Sequence, residues 1–297
     1  MSHNIFEQKR YFLEYLEIEK GRSLKTIENY DRYLKRFLDF ADVTSPKQVT
    51  KEVVRSYRLW LNRQETRAGK TLSKKTQNYY VIALRSFLKF MTRNDVTTLE
   101  PEKIELVKIE ERELDLITTV EFTRLMKTTD GAELDDLRDR ALLTLLFSTG
   151  LRISELCSLN DDLDLSADEF SIRGKGGKVR IVFLSDEAKQ AVKAYLFARE
   201  KSGLNVKSES LFVSASGERM YSRAAQRIIR KRALEAGITK HVTPHTIRHY
   251  FATNLLQNGA DIRSVQMMLG HASINTTQIY TNLSDTHLKE IHKKFHK

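Results

Sequence analysis

Four apolar stripes at helical spacing run through the first hundred residues and restrict that part of the chain to a helical bundle. Ile5, Phe12, Leu13 and Leu16 form the first; Ile27, Tyr30, Leu34, Phe37 and Leu38 the second; Val53, Tyr57, Trp60 and Leu61 the third; Tyr80, Leu84, Phe87, Leu88 and Met91 the fourth. The aromatic members read as core. Between the stripes stand Lys25, Arg32, Lys35, Arg36, Lys74 and Lys75, a face for solvent or for DNA. Residues 1–100 carry 20 Lys and Arg against 12 Asp and Glu, a balance of +8 within a total of +11. Such an excess favours a polyanionic partner.

With 297 residues the chain is too long for one small core and suits two domains. An apolar share of 40% beside 30% charged residues describes a soluble globular protein. No apolar run approaches the roughly 20 residues of a membrane span, and MSHNIFEQKRYF lacks the apolar core of a signal peptide. A cytoplasmic protein without membrane contact is the expectation. The single Cys157 excludes an internal disulfide and a cysteine-based zinc site.

Helical periodicity weakens after Arg93, where EKIELVKIEEREL reads as an exposed linker. The boundaries expected are a helical domain at 1–95, a linker at 96–117, and a second domain at 118–297. Thr118 and Glu121 have capping-box spacing and open the second domain. There LDDLRDRALLTLLFSTG reads as a buried helix stopped by Gly150. Phe170 and Ile172, then Val179, Ile181 and Phe183, fall at alternate positions around Gly174, Gly176 and Gly177, a β-hairpin signature. Further helices follow in SRAAQRIIRKRALEAG, TPHTIRHYFATNLLQNG and DIRSVQMMLG. The fold class is mainly α, with one small antiparallel β-sheet in the second domain.

Several clusters could carry chemistry. RMYSRAAQRIIRKR holds Arg219, Arg223, Arg227, Arg230, Lys231 and Arg232. With Ser222 as N-cap, Arg223, Arg227 and Arg230 share one helical face, either solvated or tracking a phosphate backbone. In TPHTIRHYFAT, Thr243 caps a helix, Pro244 takes its first position, and His245 and Arg248 share a face near the N-terminus. A helix N-terminus with an imidazole and a guanidinium attracts a phosphate oxyanion. Arg152, just past Gly150, either points into a cleft or pairs with Glu155. Lys175 and Lys178, beside Arg173, occupy the hairpin tip, a soluble turn or a reach toward phosphate. Two arginines can neutralise a phosphodiester, histidines exchange protons, and a lysine can protonate a leaving oxygen. No carboxylate cluster suited to magnesium accompanies them, since Asp161, Asp162 and Asp164 lack matching partners. Such a site needs a nucleophile and no metal or cofactor. Tyr280, set in the polar run LGHASINTTQIYTNLSD after Gly270 and His271, is placed where a structural tyrosine is unexpected.

GLRISEL, GKGGK, HTIRH, LGH and the later Tyr280 together resemble the tyrosine recombinases, nearest the Xer type, over almost the whole chain. The resemblance implies an N-terminal SAM-like core-binding domain and a catalytic domain. It implies Tyr280 as nucleophile, Arg152, Arg248 and His271 as phosphate binders, Lys175 as general acid for the departing 5′ oxygen, and His245 as general acid/base. It further implies cleavage through a 3′-phosphotyrosyl link, exchange through a Holliday junction, and a role in chromosome dimer resolution or in mobile-element integration and excision. The implied partners are double-stranded DNA with inverted-repeat core sites and a homo-tetramer, or a hetero-tetramer with a second recombinase. In HLKEIHKKFHK, Leu288, Ile291 and Phe295 share a helical face; the resemblance implies that this tail docks on a neighbouring subunit, and a frayed terminus is the alternative. Tyr250 departs from the family's usual small threonine, and the linker is more acidic than usual. Tyr250, expected exposed, is the second candidate nucleophile. A type IB topoisomerase, a telomere resolvase and a catalytically silent DNA-binding protein are the rival readings.

Overall fold

The computed structural model describes residues 4–66, 69–109, 116–174, 177 and 179–270, and the chain divides into two compact units, 1–112 and 113–297. In the first unit each stripe becomes a helix: α1 (Ile5–Ile18), α2 (Leu24–Ala41), α3 (Lys51–Asn62) and α4 (Lys74–Arg93). Their starts are fixed by side chains that take up free N–H groups: Asn4 accepts from Phe6, Thr50 from Val53 and Ser73 from Thr76. Phe12, Phe37, Tyr57, Leu84, Phe87 and Met91 are fully buried in one core, with the Phe12 ring 5.5 Å from both Phe87 and Phe90. Lys25, Arg32, Lys35, Lys74 and Lys75 are exposed. Arg36 differs: its guanidinium lies 5.1 Å from the Trp60 ring centre and donates to the Tyr80 hydroxyl at 3.0 Å.

The stretch expected to be an exposed linker from residue 96 is anchored to this bundle through Val107. Ile104 is buried in the same core. Thr98 donates to the Pro46 carbonyl at 3.0 Å. The Asn78 amide clamps the Val107 backbone, donating to its carbonyl at 2.8 Å and accepting from its N–H at 3.1 Å. Side-chain tethers of this kind carry no periodicity, so the sequence does not display them.

The second unit is helical around one hairpin: α5 (Thr119–Lys127), α6 (Leu134–Thr149), α7 (Ile153–Leu156), β1 (Glu169–Arg173), β2 (Val179–Phe183), α8 (Asp186–Lys201), α9 (Ser222–Glu235), α10 (Pro244–Gln257) and α11 (Ile262–Leu269). The Thr118–Glu121 capping box opens α5 as expected. The central helix is α6, with Ala141, Leu142, Leu143, Leu145 and Leu146 fully buried. Gly150 ends it in the left-handed conformation at φ 59°, and a Cβ there would lie 2.6 Å from the Phe251 ring. Only glycine meets both demands.

β1 and β2 pair antiparallel, Phe170 opposite Val182 and Ile172 opposite Arg180. The alternation of Val179, Ile181 and Phe183 marks the strand, but that face is exposed. Val182 and Arg180 point inward with Phe170 and Ile172, because the short hairpin covers the core on one side only.

Candidate active site

At the α6–α7 junction, Arg152 takes the N-cap position of α7 and Glu155 folds back on it. The Arg152 backbone N–H donates to Glu155 Oε2 at 2.8 Å and its Nη1 to Oε1 at 3.0 Å. Of the two sequence alternatives the pairing with Glu155 is present, and the Arg152 side chain stays partly open to solvent. Glu155 is shared. Arg180 reaches in from β2 and forks onto both carboxylate oxygens, at 3.0 and 2.7 Å. Burial opposes the Glu155 charge, but hydrogen bonds from Arg180 and from the Arg152 N–H outweigh it and hold the carboxyl at about 2.

Thr243 caps α10 by accepting from the Thr246 N–H, with Pro244 in the first turn. Arg248 is 4% exposed, and its guanidinium donates to the carbonyls of Gly150 and Leu269. Arg180 Nε donates to the Met268 carbonyl at 3.1 Å, and Arg152 Nη2 to the Gly270 carbonyl at 3.4 Å. Three successive carbonyls at the C-terminal end of α11 therefore accept from three different arginines. The end of a helix presents unsatisfied carbonyls and partial negative charge, which cations complement. The five donors of the Arg152 guanidinium exceed the two side-chain bonds described for it, and the side chain is partly open to solvent.

His245 stands beside this cluster. Desolvation, then the charges of Arg248 and Arg152, lower its pKa, although the residue keeps solvent access. One turn on, His249 is more enclosed; burial first, then His245 and Arg248, push it down to about 4. His249 is therefore neutral at pH 7, and the lowered pKa of His245 favours its neutral form.

Tyr250 is not available as a second nucleophile. It is buried, its ring 4.8 Å from Phe122 and 5.4 Å from Phe147. Its ring packs in an aromatic cluster against α5 and α6.

On α9, Arg223, Arg227 and Arg230 are exposed on one side. Ser222 is the first helical residue and not the cap; Tyr221 takes that position without a capping bond, and the Ser222 hydroxyl interacts with the buried Cys157 thiol. Arg219 is tied to the carbonyls of Cys157 and Leu159 at 3.1 and 3.2 Å. Arg232 is buried on Asp139 and Asp136, at 2.8 and 2.7 Å, and the Thr128 carbonyl. Arg173 is exposed at the end of β1. Lys175, Lys178, His271, Tyr280 and the 287–297 tail lie outside the described residues. Among the described residues no group of three His, Cys, Asp or Glu side chains could hold a metal, and Asp161 pairs with Arg199 at 2.7 Å.

Arg180 and His249 escaped the sequence reading. An arginine at an inward position of a strand implies a buried partner, and that signal was present between Val179 and Ile181.

Residues 116–287 match the phage integrase family and residues 10–95 its N-terminal SAM-like domain. The chain belongs to the phage integrase family of tyrosine recombinases. It is 36% identical over 293 residues to tyrosine recombinase XerD of Oceanobacillus iheyensis, covering 96% of each chain. Against tyrosine recombinase XerC of Pelobacter propionicus it is 38% identical over 294 residues, covering 98% of this chain and 96% of that one. Among solved structures it resembles XerA recombinase, with a TM-score of 0.55 and 33% identity over 98% of both chains. XerH site-specific recombinase bound to palindromic difH substrate in a post-cleavage complex shares the fold, with a TM-score of 0.70 and 23% identity over 97% of this chain and 85% of that one. This recombinase is thus mainly helical with a two-stranded antiparallel sheet. No helix among its described residues is long and apolar enough to cross a membrane.

Proposed function

We propose that this recombinase cuts double-stranded DNA at inverted-repeat core sites through Tyr280. Attack of the phenolic oxygen on the scissile phosphorus forms an O–P bond and breaks the bond to the 5′ oxygen, leaving a 3′-phosphotyrosyl link. Neutral His245 accepts the phenolic proton, and Lys175 supplies one to the departing 5′ oxygen. Arg152 and Arg248, with His271, stabilise charge on the non-bridging oxygens. Reversal with a partner strand rejoins DNA without an external energy source, by way of a Holliday junction. Arg173, Lys178, Ser222 and the Arg223–Arg227–Arg230 face hold the flanking backbone. A tetramer of this chain, or one shared with a second recombinase, binds two sites, with the 287–297 tail reaching a neighbour.

The observation that carries this reading is the meeting of Arg152 and Arg248, from separate elements, on the end of α11 one residue before His271. Charge stabilisation then comes from side chains, and the reaction needs no metal. The test is a nicked duplex bearing the sequence that the protein selects from a random pool. A covalent protein–DNA product should form at the same rate with EDTA as with magnesium, and a strict magnesium requirement would contradict the chemistry.

A further inference from the structure

Arg180 is a nearly buried guanidinium at the site that neither the sequence motifs nor the reaction just described employs. It makes two kinds of bond at once. Its Nη1 and Nη2 hold both oxygens of Glu155, while its Nε holds the Met268 carbonyl. Its side chain is 10% exposed, and that of Glu155 is 7% exposed. Arg180 also lies against Gly270, where an added Cβ would meet its Cδ at 3.0 Å.

We propose that Arg180 is a positioning residue for strand cleavage, keeping Arg152 available to phosphate by sharing Glu155 and fixing the end of α11 relative to Arg152. Arg152, Glu155 and Arg180 together carry a net charge of +1. Without Arg180 the carboxylate stays buried with a single partner, and Arg152 and Glu155 neutralise each other. An arginine suits the task because its planar fork binds a carboxylate with two N–H groups and leaves Nε for the carbonyl. A lysine, with a single ammonium, serves one partner well or the other. The position on β2 ties the same contacts to the two-stranded sheet. The inference rests on the recombinase reading for the meaning of cleavage, and on the geometry alone for the control of Arg152.

Arg180→Met, Arg180→Lys and the double variant Arg180→Met/Glu155→Gln test it. Glutamine keeps an acceptor for the Arg152 N–H and removes the charge, restoring the net +1 around Arg152. In single-turnover attachment to the pool-selected nicked duplex, Arg180→Met should slow about 100-fold, the scale of a small misplacement of a reacting group. Duplex affinity should change less than about threefold, since most of it comes from contacts elsewhere on the backbone. Adding Glu155→Gln should regain at least about tenfold of the rate, which a purely structural role for Arg180 does not allow. Arg180→Lys should fall between wild type and Arg180→Met, and it supplies the comparison if the methionine variant fails to fold.

Inorganic phosphate titrated into the same proteins gives a reading independent of cleavage: binding should weaken in Arg180→Met and recover in the double variant. Wild-type speed in Arg180→Met, or a double variant no faster than the single, would overturn the assignment. If wild type attaches to no DNA while phosphate binding follows the stated order, the recombination chemistry is at fault and the control of Arg152 by Arg180 stands.

Discussion

At the scale of single residues, the site is a set of charges that determine one another's state. His249 is the clearest case. An unfolded histidine takes its proton near 6.5, whereas His249 in the folded chain does so only near 4. Between those values the unfolded state binds more protons, so stability is fully present above pH 6.5 and falls as the pH drops toward 4. The whole shift corresponds to about 3 kcal/mol. Glu155 is depressed as well, and its contribution is lost only as the pH falls from 4.5 toward 2. Calorimetric melts of wild type and His249→Gln between pH 6.5 and 4.5 should therefore diverge, the variant losing less stability on acidification. Equal slopes would show that His249 is not held neutral. The motif HTIRH announced His245 and Arg248 by spacing, but it could not reveal His249, whose pKa depends on enclosure by the folded chain. For Arg248 the spacing was legible while its burial was not: the two carbonyls it holds come from residues 98 positions earlier and 21 later.

At the scale of elements, α9 separates two uses of arginine that look alike in sequence. Arg232 sits in an ion-pair network with side-chain exposure of 8%, against 3% for Asp139. Its loss leaves buried Asp139 with Arg138 as remaining partner and takes Arg232 from the partly buried Asp136, so Arg232→Met should cost about 3 kcal/mol of stability in urea unfolding, the low end for a broken buried pair. Arg227→Met, on the exposed side, should leave stability within about 0.5 kcal/mol. It should instead weaken DNA binding and lower the slope of log affinity against log salt by about one. A stable Arg232→Met, or an unchanged salt slope for Arg227→Met, would break this division. The run RMYSRAAQRIIRKR gave the helix and its basic character; which arginines turn inward depended on Asp136 and Asp139, almost a hundred residues away. The hairpin teaches the same lesson. Its strands were legible from alternation, but the inward face was the one carrying Arg180, because the outer side of β2 has no second layer over it among the described residues.

At the scale of the whole molecule, one hydrophobic core among the described residues lies in the first unit and two lie in the second, and each unit corresponds to one family match along the chain. The first unit closes its own hydrophobic core and fastens residues 98–107 to it through Ile104, Thr98 and Asn78. Residues 1–109 expressed alone should therefore give a helical circular dichroism spectrum and a cooperative melt, and Asn78→Ala should lower the midpoint of that melt. A fragment that fails to fold would mean that the bundle depends on the rest of the chain. The helices of this unit were readable because each buries a stripe at helical period, whereas the point at which the chain leaves it depended on tethers without pattern.

The central claim concerns the bond between protein and DNA. Tyr280→Phe removes one oxygen and keeps the ring, so DNA affinity, which rests on the basic groups, should be preserved while covalent attachment is lost. The decisive measurement is a denaturing gel of the nicked duplex, labelled on the strand that retains its 3′ phosphate. Wild type should give a protein-linked band and Tyr280→Phe none, at equal occupancy of the duplex. A protein-linked band of wild-type intensity in Tyr280→Phe would assign the attack to another residue and contradict the account.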